Sequence, residues 1–183
     1  MLTPCSLRQV VTAATWPEHC EGRSLRCFRS YSLRQGDQLL ALGRTQWAVL
    51  GEKGRLIPFA QSGFPEDFPF VEREGITEAP ARFRDDLLPE ELVQRHTVRS
   101  TDIDMGRHMN NVAYVRLLLD QFPAATLAEG NISSVEIHYA APCLEGETLR
   151  IFRKQQENLC RMAVKKADGK TAVLAAIRFR AGE

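Results

Sequence analysis

Apolar residues recur at every second position near both ends of the chain and at helical spacing in one place between them. Val11, Ala13 and Thr15 alternate with Val10, Thr12, Ala14 and Trp16, and Leu25, Cys27, Tyr31 and Leu33 share one face of the run that follows. A period of two is the mark of strands. Gln35-Gly36-Asp37 is a turn signal leading into a third strand, Leu39 to Leu50, which ends at Gly51-Glu52-Lys53-Gly54. This spacing predicts an antiparallel meander over residues 1–51.

From Pro58 to Pro89 the periodicity lapses. Prolines 58, 65, 69, 80 and 89 stand among acids and phenylalanines 59, 64, 68, 70 and 83. A segment this irregular and this aromatic reads as a linker, residues 52–91, packed across a surface, with a short helix near Pro89-Glu90-Glu91-Leu92. Residues 92–183 form the second predicted unit. A short strand, Leu92 to Ser100, precedes a helix, Asn110 to Phe122, whose circumference is apolar except at Arg116, Asp120 and Gln121. Such a helix is expected to be buried nearly all round and to stop at Pro123. Four strands follow: Ile132 to Ala141, Thr148 to Lys154, Leu159 to Lys166 and Thr171 to Arg180. Asp168-Gly169 turns the last pair. The predicted class is therefore α+β, an antiparallel sheet wrapped around a long buried helix, preceded by a partial unit made of strands only.

Composition narrows the function classes. With 24 basic against 23 acidic residues the net charge is +1. The two signs are interspersed, which excludes a broad nucleic-acid surface. No run reaches the roughly 20 apolar residues of a membrane span, and residues 1–16 lack a signal peptide's basic start and apolar core, so the expected location is the cytoplasm. Cys5, Cys20, Cys27, Cys143 and Cys160 are odd in number and form no CxxC pair. That pattern points to reduced, mostly buried thiols and away from a structural metal site.

Chemistry concentrates in Thr101-Asp102-Ile103-Asp104-Met105-Gly106-Arg107-His108-Met109-Asn110-Asn111, the loop that enters the predicted helix. Asn110 or Asn111 can cap that helix, whose first amides carry partial positive charge and suit an oxyanion. An imidazole such as that of His108 exchanges protons near neutrality, and Asp104 is placed to orient it or to hold a water. The plainer reading of the same loop is helix capping alone.

Asp102-Ile103-Asp104-Met105 through His108-Met109-Asn110-Asn111-Val112-Ala113-Tyr114 resembles the signature of the acyl-acyl carrier protein (acyl-ACP) thioesterases, which are tandem hot-dog enzymes. Leu40-Ala41-Leu42-Gly43-Arg44-Thr45-Gln46-Trp47 and Val135-Glu136-Ile137-His138-Tyr139 resemble flanking strands of the same family more weakly. The resemblance implies a hot-dog fold and hydrolysis of the thioester that joins a fatty acyl chain to the phosphopantetheine arm of acyl carrier protein, with neither cofactor nor metal. Asp104 and His108 stand where the family's catalytic Asp and His stand, and Met109, Asn110, Asn111 and Val112 are the implied substrate-binding residues.

The pattern departs from the family in two respects. Gly106 stands where Asn is usual, and Pro142 where a catalytic Glu is usual, followed by Cys143, which matches a Cys of plant members and is a further catalytic candidate. The first unit also lacks the family's leading strand, helix and second strand. Its meander is then expected to expose an apolar face, covered by a partner chain such as a second copy, or by residues upstream if the true start precedes Met1. Two other readings stand beside acyl-ACP hydrolysis: an acyl-CoA thioesterase of the same fold, and a catalytically impaired acyl-binding protein.

Overall fold

The computed structural model describes residues 8–70, 73, 75–128 and 132–180, so Cys5 lies outside the described residues. The chain divides into two compact units, Met1–Ala79 and Pro80–Glu183. The division falls inside the stretch read from sequence as a linker.

In the first unit, β1 (Thr12–Pro17), β2 (Arg26–Gln35) and β3 (Gln38–Ala48) form an antiparallel sheet in the order β1-β2-β3. The β2–β3 turn needs a left-handed residue, and Gly36 supplies it at φ 56°. One sheet face carries Ser30, 1% exposed, and Glu18, which accepts from Ser30 Oγ at 2.7 Å and from Arg44 Nε at 2.8 Å. The later part of this unit lies over that face: Arg73 reaches over Trp16, and Gly75 sits close enough to Ser30 that a Cβ would be 3.2 Å from its hydroxyl. Phe59, Phe64, Phe68 and Phe70 form a linked ring cluster within this unit. The other face leaves Leu25, Leu33 and Trp47 exposed.

The second unit is a five-stranded antiparallel sheet, order β4-β6-β7-β8-β5, from β4 (Leu92–Thr97), β5 (Ile132–Tyr139), β6 (Thr148–Gln156), β7 (Leu159–Lys165) and β8 (Thr171–Phe179). Strict alternation gives the sheet two apolar faces with different partners. Leu149, Ile151, Cys160, Met162, Val164, Val173, Ala175 and Ile177 pack with Ala113, Tyr114, Leu117 and Leu118 of α1 (Asn111–Leu119) in one core. Each large aliphatic chain so buried contributes roughly 1.5–3 kcal/mol.

Two expectations about the helix need correction. It ends at Leu119 rather than Phe122, and Pro123 starts a second short helix, α2 (Ala124–Ala128), instead of merely stopping the first. Nor is α1 buried all round. Asn111, Val112 and Arg116 are exposed, Val112 by 58%, because the sheet covers one side of a cylinder whose residues turn 100° at each step.

The opposite sheet face is closed by the chain itself. Residues 81–91 run across it from β5 to β6 as a strap. Ala81 N–H donates to Glu136 Oε2 at 2.9 Å, and the Phe83 ring meets His138 edge-on at 6.1 Å. Asp85 bonds Thr171 and Lys165, Asp86 receives both oxygens' bonds from Arg161 at 2.7 and 2.8 Å, and Glu91 pairs with Lys154 at 2.7 Å. Leu87, 8% exposed, fills the middle against Phe152 and Ala163, with Leu92 and Leu174 beside them. The short helix expected near Pro89 is a 3-10 turn, Pro89–Glu91, at the end of this strap. No helix among the described residues is long and apolar enough to cross a membrane.

Candidate active site

The loop before α1 folds on its own backbone. A 3-10 turn at Ser100–Asp102 leads into a tight return in which Asp104 N–H donates to the His108 carbonyl and Arg107 N–H to the Asp104 carbonyl, each at 3.0 Å. Closing so short a loop places Arg107 at φ 61°, uncommon for a side chain with a Cβ. The Asp104 carboxylate accepts from the Gly106 N–H at 2.8 Å. That bond, rather than one to His108, is where its Oδ1 is engaged.

Asn110 joins this loop to the helix. Its Oδ1 accepts from Ala113 N–H at 2.7 Å as an N-cap, and its Nδ2 and backbone N–H both donate to the Asp102 carbonyl at 2.8 Å. The cap satisfies the third amide of the helix and leaves those of Asn111 and Val112 without a helical acceptor. Asp102 Oδ2 in turn accepts from Arg99 N–H at 2.9 Å and lies 3.0 Å from His96 Nε2. Burial raises the Asp102 carboxyl, but the Arg99 amide and His96 outweigh it and leave it below its ordinary value. The imidazole partnered by a carboxylate in this region is thus His96, which the sequence pattern did not single out.

A cleft of about 320 Å³ opens beside the loop, lined by Asp104, His108, Met109, Asn111, Tyr114, Tyr139 and the wall Ala140-Ala141-Pro142. That is the lower end of ligand-pocket sizes. Met109 N–H donates to the Cys143 carbonyl at 2.8 Å, tying the loop to this wall. Glu147 braces the turn beyond the wall. It accepts from Leu144 N–H at 3.0 Å and pairs with Lys166 at 2.8 Å, and Lys166 reaches the Pro142 carbonyl at 3.2 Å.

Four of the residues named from sequence meet in this cleft, Asp104, His108, Met109 and Asn111, and three do not. Asn110 is spent on capping, and Val112 points out on the open side of α1. Cys143 is 0% exposed, and burial pushes its thiol above the ordinary range, the reverse of what a nucleophilic cysteine needs. Its catalytic assignment is therefore corrected to packing, since it sits in the core beside Leu149 and Val164.

Two tyrosines were missed as site residues. Tyr114, one helical turn after Asn110, and Tyr139, on the inward face of β5, meet edge to face at 5.8 Å and form one side of the cleft. Burial raises both phenols, Tyr114 far more, so both are neutral at ordinary pH. Spacing held the signal, because i and i+4 on the helix and the inward parity of β5 bring the two to one place. Among the described residues no cluster of three or more His, Cys, Asp or Glu side chains is arranged to hold a metal ion.

An antiparallel sheet packed on one central helix, with the helix start at the edge of a cleft, is the hot-dog architecture. Residues 87–181 match the family model of the acyl-ACP thioesterase C-terminal domain. No curated protein matches the chain by sequence. Among solved structures, an acyl-ACP thioesterase from Bacteroides thetaiotaomicron superposes with a TM-score of 0.79 at 24% identity, covering 93% of this chain and 68% of its own. The 12:0-ACP thioesterase from Umbellularia californica superposes with a TM-score of 0.71 at 16% identity, covering 93% of this chain and 67% of its own. At these identities the likeness is one of fold. The chain belongs to the acyl-ACP thioesterase family, a family of thioester hydrolases.

Proposed function

We propose that this protein hydrolyses fatty acyl-ACP to free fatty acid and carrier protein, with His108 as general base and Asp104 as its acidic companion. One observation carries the reading. Of the four titratable side chains lining the cleft, Tyr114 and Tyr139 are held neutral by burial, which leaves one imidazole, His108, and one carboxylate, Asp104, on its wall. The Pro142 wall supplies no carboxylate, so proton transfer falls to the imidazole.

In this scheme His108 takes a proton from water as the water oxygen attacks the acyl carbon. The carbonyl oxygen gains negative charge opposite the free first-turn amides of α1. The C–S bond then breaks, and the departing pantetheine sulfur takes the proton back from the imidazolium. The compartment is taken to be the cytoplasm, as expected from the sequence. The open face bearing Leu25, Leu33 and Trp47 in the first unit is where a second copy would dock.

The test is release of fatty acid from purified acyl-ACP, with acyl-CoA as the competing carrier. His108→Ala is expected to lower kcat/KM on the order of a hundredfold to ten-thousandfold, the usual worth of a positioned acid–base group. Unchanged turnover in that variant removes His108 from the mechanism. Acyl-ACP binding without turnover in the parent favours the acyl-binding reading, and faster turnover of acyl-CoA reassigns the substrate.

A further inference from the structure

Residues 102–110 fold back on themselves as a miniature antiparallel hairpin. Ile103 bridges Met109, Asp104 N–H donates to the His108 carbonyl at 3.0 Å, and the backbone N–H and Nδ2 of Asn110 both donate to the Asp102 carbonyl at 2.8 Å. Asp104 and His108 face each other one rung up, and Asp102 is the root. What holds that root lies outside the cleft, whose lining includes neither Asp102 nor His96. Asp102 Oδ2 accepts from Arg99 N–H at 2.9 Å and lies 3.0 Å from His96 Nε2 on β4. Asp102 N–H returns a bond to the Arg99 carbonyl at 2.9 Å and closes the 3-10 turn. His96 is fixed in its turn by the sheet. It stands opposite Leu149, 0% exposed, in the β4–β6 ladder, and Val98 N–H extends that pairing to the Glu147 carbonyl at 3.0 Å.

The geometry points to His96 as a positioning residue that, through the Asp102 carboxylate, anchors the hairpin bearing Asp104 and His108 to strand β4. The inference rests on the reading of those two side chains as the catalytic pair and adds what keeps them in place. The returning arm has its own tie, Met109 N–H to the Cys143 carbonyl at 2.8 Å. On the outgoing arm, Ile103 packs against the core, while the bonds to Arg99, Ser100, His108 and Asn110 all stay within the loop and its immediate approach. Among the described residues, the bond to His96 is the one that reaches from this arm to the sheet. Its proton arrangement is fixed by chemistry. Burial raises the Asp102 carboxyl, but the Arg99 amide and His96 lower it more, so it is an anion at ordinary pH. A carboxylate only accepts, hence Nε2 carries the hydrogen and donates. Nε2 bears a hydrogen both in the charged ring and in the Nε2–H neutral tautomer, so the anchor persists through the ring's titration.

Three measurements test the anchor, two of them without substrate. In the parent, imidazole nitrogen shifts read by NMR above the ring's titration are expected to show His96 with its proton on Nε2. A majority Nδ1–H form overturns the proposal and needs no variant. His96→Ala is expected to speed hydrogen exchange at the Asp104 and Asn110 amides about tenfold to a hundredfold, the worth of one hydrogen bond to a charged group, with the β7–β8 amides unchanged. His96→Gln, whose amide N–H can stand in for Nε2–H, is expected to restore slow exchange. In hydrolysis of acyl-ACP, His96→Ala is expected to lower kcat about tenfold or more while KM stays within about twofold of the parent, because misplacement of reacting groups by about 1 Å costs turnover more than binding. His96→Gln is expected to recover most of that loss. Unchanged exchange at Asp104 and Asn110, an equal rise throughout the sheet, or a Gln variant as impaired as Ala overturns the proposal. If His96→Ala does not fold, the parent tautomer decides. A protein that passes the tautomer and exchange tests yet releases no fatty acid upholds the anchor while sinking the thioesterase reading.

Discussion

Asn110 bears on both fold and site through two separate hydrogen bonds, and removing them one at a time gives a graded prediction. Its Oδ1 caps Ala113 N–H at 2.7 Å and its Nδ2 holds the Asp102 carbonyl at 2.8 Å. Asn110→Ala loses both, at about 1 kcal/mol for the cap and about 1 kcal/mol for the second bond. The total, about 2 kcal/mol, is a roughly thirtyfold shift in the opening equilibrium. Asn110→Ser keeps an N-cap oxygen and loses only the bond to Asp102, whose carbonyl still accepts from the Asn110 backbone N–H. Its cost is therefore about 1 kcal/mol. Hydrogen exchange at the Ala113 amide reads the cap, and urea unfolding followed by circular dichroism reads the total. The expected order of stability is parent, Ser, Ala, and hydrolysis should fall in the same order as the loop carrying Asp104 and His108 loosens. A loss under about 0.5 kcal/mol for Ala, below the low end of single-cap effects, or a Ser variant as damaged as Ala, refutes the reasoning.

Two further outcomes follow from the same structure. Asp85 is raised by burial but lowered more by Lys165 and Thr171, while Asp86 and Glu91 are lowered chiefly by Arg161 and Lys154. Depressed carboxylates stabilise the folded state above their unfolded values, here 3.8 for Asp and 4.5 for Glu, and that contribution is lost as pH falls through the folded values below them. Amide exchange across residues 81–91, corrected for intrinsic rate, should therefore lose protection between pH 6 and pH 3 before the β7–β8 core does, and equal protection at both pH values would sink the strap's ionic account. Cys143→Ala should keep the parent's hydrolytic rate, and Cys143 in the native protein should resist iodoacetamide at neutral pH until the core is unfolded; rapid native labelling would restore a catalytic thiol.

Sequence pattern made much of this molecule legible, for reasons that are local. The alternation through Val135, Ile137 and Tyr139 and the Asp168-Gly169 turn are properties of a few adjacent residues, and the strands fall where these place them. Asp104 and His108 were legible because they share one short loop. The rest depends on distance along the chain. Nothing local to Asp86 shows that it will meet Arg161, 75 residues away, and Val112 looks like core until the sheet is seen to cover only one side of α1. Asn110 and Cys143 were given roles in substrate binding and catalysis through the family resemblance, whereas complete burial employs Cys143 otherwise and Asn110 makes the cap bond that its residue type and place before the helix also suggested.

The strap also alters where this half of the protein begins as a physical object. Counting from the first hydrogen-bonded strand puts its edge at Leu92, yet a polypeptide cut there would leave Phe152, Ala163 and Leu174 as a greasy stripe facing water and would strand Lys154, Arg161 and Lys165 without their counterions. The smallest autonomous folding piece has to carry its own sash, eleven residues of irregular backbone that belong to the sheet as fully as any of its strands.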